Sequence, residues 1–103
     1  MTLNAEERIR TGDELRANLR LSGATPEEVQ ADLDFTAARF ESTLNCDDDA
    51  GPPDVWLLRD HLEQLVRDKG GSPVPYSVLT DRARLAARVW FRLRKPPRSR
   101  RRD

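Results

Sequence analysis

Residues 22–36, SGATPEEVQADLDFT, decide the fold of this chain. Thr25 is a typical helix N-cap, a proline follows at the first helical position, and Glu28 three residues on completes a capping box. The Asp-Phe pair that precedes Thr36 breaks this short helix, and Thr36 supplies the N-cap of a second one. Two short helices joined by so tight a turn predict a helix-turn-helix at about residues 25–45.

Two longer helices are predicted on either side of this motif. Asn4 and Glu7 form a second capping box, and the helix that follows them runs to about Leu21. Its predicted apolar face consists of Ile9, Leu15 and Leu19. Asp54 is predicted to cap a fourth helix that ends at a Gly-Gly pair. The predicted apolar stripe of that helix consists of Val55, Leu58, Leu62, Leu65 and Val66.

The chain beyond the fourth helix changes in character. Residues 73–93 are predicted to form an extension over the bundle, extended at first because residues before proline avoid the helical region. A last helix capped at Thr80 or Asp81 is predicted within it, although residues 89–91 also fit a short strand. Residues 96–103 have nothing to bury and are predicted to be a disordered basic tail. We therefore predict one all-α domain over residues 1–95, a bundle of four to five helices.

Charge is distributed unevenly along the sequence. The net charge is zero, yet residues 1–50 hold 5 Arg and 12 Asp plus Glu, whereas residues 51–103 hold 13 Arg plus Lys and 6 Asp plus Glu. Arginine outnumbers lysine by 16 to 2, and arginine is the better bidentate partner of phosphate. This asymmetry indicates either a basic end that binds nucleic acid or two halves that attract each other.

Composition argues against several classes of protein. A single cysteine, Cys46, excludes an internal disulfide and a cysteine-rich zinc site. A lone histidine, His61, leaves any metal cluster to carboxylates, and the sequence places no nucleophile beside it. No run approaches the roughly 18 apolar residues of a membrane helix. We expect a soluble cytoplasmic protein of a prokaryotic type with no cofactor, no metal, no membrane contact and no enzymatic activity.

The first four helices and their spacing resemble the lambda-repressor-like class of helix-turn-helix domains. The positions that match its buried apolar residues and its two caps are Val29, Leu33, Phe35, Phe40, Thr25 and Thr36. The chain is also similar, over roughly residues 3–93, to an uncharacterised bacterial family known as domain of unknown function 2316. The matching segments are 54–60 (DVWLLRD), 71–76 (GSPVPY), Leu79 and the Trp90-Phe91 pair. This resemblance implies a DNA-binding fold and no assigned activity.

A DNA-binding transcriptional regulator is the function that this resemblance and the charge pattern favour, with double-stranded DNA as the partner. Arg39 has the forked donor that reads guanine, and Asn45 can pair with adenine. The predicted base-contacting positions of the third helix are Thr36, Ala38, Arg39, Ser42 and Asn45. The tail is predicted to neutralise phosphates. Its predicted DNA-binding residues are Arg98, Arg100, Arg101 and Arg102.

A non-enzymatic protein-interaction module remains the alternative, with an unknown protein as partner and the helix-turn-helix as its scaffold. Glu41 and residues 47–49 lie close to the third helix and repel phosphates. The basic tail then either stays solvated or folds back onto the acidic half of its own or a second chain. For either function we expect a homodimer that uses aromatic surface. The aromatic residues considered for it are Trp56, Tyr76, Trp90 and Phe91.

Overall fold

A computed structural model describes residues 3–47, 50–80 and 82–84 of the chain. The described residues contain four helices: α1 (Ala5–Ser22), α2 (Pro26–Leu33), α3 (Ala37–Leu44) and α4 (Pro52–Asp68). Residues 82–84 are also helical, and the described part of the chain contains no strand. The predicted all-α class is therefore confirmed. The predictions for residues 85–93 and for the basic tail lie outside the described residues.

Side-chain caps fix where the first three helices begin. The side chains of Asn4 and Thr25 each accept a hydrogen bond from the backbone N–H three residues on, and the glutamate at that position accepts one from the backbone N–H of the cap residue. Thr36 caps α3 by accepting from the backbone N–H of Arg39 at 3.1 Å. Between α2 and α3, Asp34 adopts a left-handed conformation with φ of 58°, which aspartate tolerates better than most residues. The short connection between these two helices therefore follows from local sequence.

The start of α4 differs from the prediction. Gly51 is the N-cap and Pro52 occupies the first helical position, so Asp54 lies within the first turn instead of capping it. Proline suits that position because it has a fixed φ and its missing N–H would have no partner there. The carboxylate of Asp54 is thereby free to contact another element, while its charge still favours the positive end of the helix.

The core lies between α1 and α4, with α2 and α3 closing one side. The predicted stripe of α4 is buried throughout, and so are Val29, Leu33, Phe35 and Phe40. The predicted apolar face of α1 is wrong in one respect, because Ile9 is 66% exposed. The polar side chains of Thr11 and Asn18 are buried instead. Thr11 lies four residues before Leu15 and Asn18 lies three residues after it, so all three share one face of the helix. This face, and not that of Ile9, packs on the bundle.

Residues 72–80 cover the bundle as a non-helical extension. The side chain of Asn18 donates to the carbonyl of Val74 at 3.0 Å and accepts from its N–H at 2.7 Å. The backbone N–H and hydroxyl of Ser77 both donate to the carboxylate of Glu14. Tyr76 and Leu79 are buried in the core cluster. The predicted packing of the extension is thus confirmed as far as residue 80.

A buried polar pair joins α2 to α4. His61 Nε2 lies 3.0 Å from Asp32 Oδ2, and the two side chains are 1% and 3% exposed. Because a buried carboxylate is costly without a partner, this contact fixes α2 on α4. The apolar residues of α2 and α3 fill the same side of the core, so the opposite face of α3 is turned outward.

Candidate nucleic-acid interface

The outer face of α3 is where the predicted base-contacting residues lie. Phe40, Thr43 and Leu44 are buried and attach the helix to the core. Of the predicted residues, Ser42 is half-buried. The exposed ones are Thr36, Ala38, Arg39 and Asn45. The five positions therefore lie on the side of α3 that the described part of the chain leaves largely uncovered.

Arg39 is held by a contact that the sequence does not predict. Its Nε donates to Asp54 Oδ2 and its Nη2 donates to Asp54 Oδ1, both at 2.8 Å. The guanidinium also lies over the ring of Phe35, with its central carbon 4.3 Å from the ring centroid. Asp54 belongs to the first turn of α4. A side chain of α3 is therefore fixed between a carboxylate of the neighbouring helix and an aromatic ring of the turn.

The electrostatics of this pair favour the charged form of Arg39. The hydrogen bonds to Asp54 raise the pKa of the Arg39 guanidinium, because they stabilise its charged state. The Arg39 side chain is nevertheless 45% exposed and that of Asp54 is 22% exposed. Solvent screens such a pair, so its contribution to stability is at most about 1 kcal/mol. The contact orients the guanidinium more than it stabilises the fold.

Asn45 has a partner of its own. Its Oδ1 accepts a hydrogen bond from Nη2 of Arg16 on α1. Paired recognition of adenine uses both the oxygen and the nitrogen of an asparagine amide, so Asn45 meets that requirement only if Arg16 releases it. This contact brings Arg16, which no local sequence pattern links to α3, to the end of that helix. Its side chain also bonds Asp13 and is 39% exposed.

A glycine explains how α1 comes so close to the end of α3. A Cβ on Gly12 would lie 3.3 Å from the carbonyl oxygen of Leu44. Gly12 costs about 1 kcal/mol of helix stability relative to alanine, and this close approach accounts for its presence. A glycine in the middle of an otherwise regular helix was the one sequence signal that could have pointed to the neighbourhood of Arg16.

The remaining candidate residues, His61 and Cys46, are buried. His61 is buried against Asp32. Burial raises the pKa of the Cys46 thiol, and Asp47 adds to this while Arg8 opposes it. A raised pKa disfavours a reactive thiolate. Within residues 3–47, 50–80 and 82–84, no group of three potential ligands is placed to hold a metal ion.

The aromatic residues considered for a dimer contact divide into two pairs. Trp56 is 1% exposed and Tyr76 is 6% exposed, so neither offers surface to a second chain. The expectation of aromatic surface on α4 is therefore wrong, because Trp56 belongs to the buried core cluster. Trp90 and Phe91 lie outside the described residues. The exposed large apolar side chains of the described part are Ile9 and Leu21, both on α1.

A comparison with protein families identifies the relatives of this chain. Residues 1–92 match the family described as "Uncharacterized protein conserved in bacteria (DUF2316)". The chain belongs to the DUF2316 family. No curated protein and no solved structure matched it. The description of DUF2316 assigns no activity, so functional inference for this member rests on its own residues.

Two further observations bear on the DUF2316 chain as a whole. Among its described helices, none combines the length and the apolar character that a bilayer crossing requires. The four arginines predicted to bind phosphate, Arg98, Arg100, Arg101 and Arg102, lie outside the described residues. The candidate interface within the described residues consists of the outer face of α3, the Asp54 carboxylate beside it and Arg16 at its end.

Proposed function

We propose that this protein is a DNA-binding transcriptional regulator of the small helix-turn-helix type. In this proposal α2 and α3 form the lambda-repressor-like motif, and α3 enters the major groove. Such motifs contact base edges with the N-terminal residues of their second helix. The capped helices and the left-handed Asp34 between them support the assignment. The proposed base-contacting residues remain Thr36, Ala38, Arg39, Ser42 and Asn45.

The orientation of Arg39 is the observation that carries this proposal. Its guanidinium lies on the uncovered side of α3, near the start of the helix, and is held in place without being enclosed. Arginine at such a position is the side chain most often used to recognise guanine. It is also the only basic residue between residues 21 and 58. Arg39 therefore supplies the only guanidinium with which α3 itself could contact a base.

Attraction to the phosphate backbone must come from elsewhere in the chain. Residues 22–50 contain one arginine and eight acidic residues, so the proposed motif itself repels DNA. Residues 82–103 contain ten basic residues and one acidic residue. We propose that this basic segment, and in particular Arg98, Arg100, Arg101 and Arg102, neutralises phosphates while α3 reads bases. Most non-specific affinity for DNA arises from such neutralisation.

A homodimer is part of the proposal. Two copies of a helix-turn-helix commonly bind two half-sites about one helical turn apart. With Trp56 and Tyr76 buried, the contact would use residues beyond 84, which include Trp90 and Phe91, or the exposed apolar residues of α1. Sedimentation of a monomer at high micromolar concentration, both with and without DNA, would remove this part of the proposal.

The acidity of residues 22–50 favours a second candidate function, a protein-interaction module that uses the same fold as a scaffold. On that account the acidic surface docks a basic partner, and DNA plays no part. The two functions differ in their response to DNA, because the interaction module has no reason to enrich any duplex sequence. They also differ in the role of Arg39, which the module leaves as an ordinary surface residue.

Selection from a random duplex library, followed by a salt series, tests the proposed function. We expect the full chain to enrich a defined sequence. We also expect the log–log dependence of affinity on salt to flatten by up to about 3–4 units when the four tail arginines become glutamine. Replacing Arg67 with glutamine is a control, because that side chain is exposed on α4 and lies outside the proposed interface. Failure to enrich any sequence would favour the interaction module.

A further inference from the structure

The contact with Asp54 uses only one edge of the Arg39 guanidinium. An arginine has five N–H donors in a planar fork. Asp54 accepts from Nε and from one side of Nη2, which leaves three donors. Two of these, one on each terminal nitrogen, point in parallel along the outer edge of the group. Within residues 3–47, 50–80 and 82–84, Arg39 has no other side-chain hydrogen bond.

We infer that Asp54 is a positioning residue that presents the outer edge of Arg39 to a guanine base, so that this pair supplies sequence specificity. The inference rests on the proposed function and names the base that α3 reads. Two parallel N–H groups match the N7 and O6 acceptors of guanine in the major groove. The ring of Phe35, itself buried, supports one face of the guanidinium and limits its tilt.

Pre-orientation gives Asp54 a definite energetic role. A free arginine side chain loses many rotamers when it binds a base, and this loss weakens binding. Held by Asp54 and Phe35, Arg39 has already lost part of that freedom in the unbound protein. Groups that are ordered beforehand bind more tightly for the same contacts. Removing the carboxylate should therefore weaken the specific contact although it removes a negative charge from the surface.

Charge compensation separates the reading of bases from attraction to phosphate. Asp54 cancels most of the field that Arg39 would present to the DNA backbone, so the pair adds little to affinity for random sequences. A phosphate contact needs net positive charge, whereas a guanine contact needs two directed donors. The outer edge of Arg39 keeps its donors, while the net charge of the Arg39–Asp54 pair is zero. It is therefore suited to discriminating between bases and poorly suited to non-specific binding.

A matched pair of substitutions in the full chain tests the inference, Asp54→Asn against Asp47→Asn. Both remove one carboxylate near an end of α3, but only Asp54 contacts Arg39. An asparagine at 54 offers one acceptor oxygen in place of the two that Arg39 uses, and it turns an N–H toward the guanidinium. Affinities are measured for the selected duplex and for random duplexes, and their ratio is compared. The ratio cancels any loss of folded protein, so a merely structural role would leave it unchanged.

We expect Asp54→Asn to lower this ratio about tenfold, through weaker binding of the selected duplex and slightly stronger binding of random ones. Asp47→Asn should change both affinities alike and leave the ratio within about twofold. Replacing the selected guanine with 7-deazaguanine, which lacks the N7 acceptor, should cost the parent about tenfold. The same replacement should cost Asp54→Asn much less.

Three results would overturn the inference. An unchanged ratio in Asp54→Asn would show that the carboxylate is only a repelling charge or a structural one. A selected site that tolerates any base in place of guanine would show that Arg39 reads no guanine. Both results leave the proposed function standing, because the parent still recognises a site. A selection that enriches nothing refutes the proposed function, and the inference fails with it.

Discussion

Arg59 and Arg39 occupy opposite settings in this molecule. Arg59 on α4 is 5% exposed, donates to Asp60 and to the carbonyl of Leu79, and forms an ion pair with Glu63. Its guanidinium also lies 4.8 Å from the centroid of the Tyr76 ring. Arg39 meets one carboxylate and one ring and keeps 45% of its side chain in solvent. The region around Arg59 encloses its arginine, whereas the region around α3 holds its arginine at one edge.

This difference separates structural from functional use of the same side chain. A buried guanidinium that satisfies several acceptors holds the extension of residues 72–80 onto α4, so its removal should damage the fold. A guanidinium held along one edge contributes little to the fold and keeps donors for another molecule. Charge alone does not distinguish the two, since both arginines pair with aspartate. The two arginines are distinguished by how deeply each is buried and by how many of its N–H donors are in use.

The largest effect should follow from replacing Arg59. Arg59→Ala removes one member of a buried ionic network and leaves the Leu79 carbonyl without this donor. We expect the free energy of unfolding to fall by about 3–5 kcal/mol, measured by urea denaturation. Arg67→Ala on the same helix, whose side chain is 60% exposed, should change it by less than about 0.5 kcal/mol. If Arg59→Ala lowers the free energy of unfolding by less than about 1 kcal/mol, Arg59 is not the structural arginine that the comparison with Arg39 requires.

An intermediate effect is expected from the other attachment of the extension. Asn18→Ala leaves the N–H and the carbonyl of Val74 without their side-chain partner in a part-buried setting. We expect a loss of about 1–3 kcal/mol, with faster hydrogen exchange at the Val74 amide. Ser77→Ala is the control, because it removes only the exposed hydrogen bond of the Ser77 hydroxyl to Glu14. The loss of this bond should lower the free energy of unfolding by less than about 0.5 kcal/mol. Unchanged exchange at Val74 would contradict the assigned contact.

The smallest effect on stability should come from the surface pair. Arg39→Ala and Asp54→Asn should each lower the free energy of unfolding by no more than about 1 kcal/mol. A double-mutant cycle between the two positions should give a coupling of about 0.2–1 kcal/mol. The same urea titrations measure it. A coupling of several kcal/mol would mean that the pair is a structural element like Arg59.

Local features of the fold could be predicted from the sequence because they depend on neighbouring residues. The capping boxes at Asn4 and Thr25, the cap at Thr36 and the turn at Asp34 each involve residues no more than a few positions apart. The apolar stripe of α4 follows from the helical period in the same way. The face of α1 could not be assigned on this basis, because Ile9 and Leu15 are equally apolar and only tertiary packing selects between them.

The candidate site was predictable only in part, because its main contacts join distant residues. The position of Arg39 on the outer face of α3 follows from the helical pattern. Its pairing with Asp54 depends on α4 beginning at Pro52, which brings a first-turn carboxylate beside α3. The contact of Arg16 with Asn45 joins residues 29 positions apart in sequence. Local pattern specifies neither contact, so each had to be found in the assembled fold.

The binding of Arg39→Ala to a selected duplex tests the central claim most directly. We predict a loss of about 1–3 kcal/mol on that duplex and a much smaller loss on random DNA. Arg39→Lys should behave like Arg39→Ala on the selected duplex, because lysine lacks the paired donors of the guanidinium although it keeps the positive charge. Binding of the selected duplex by Arg39→Ala as tightly as by the parent would contradict the claim that Arg39 on α3 reads DNA.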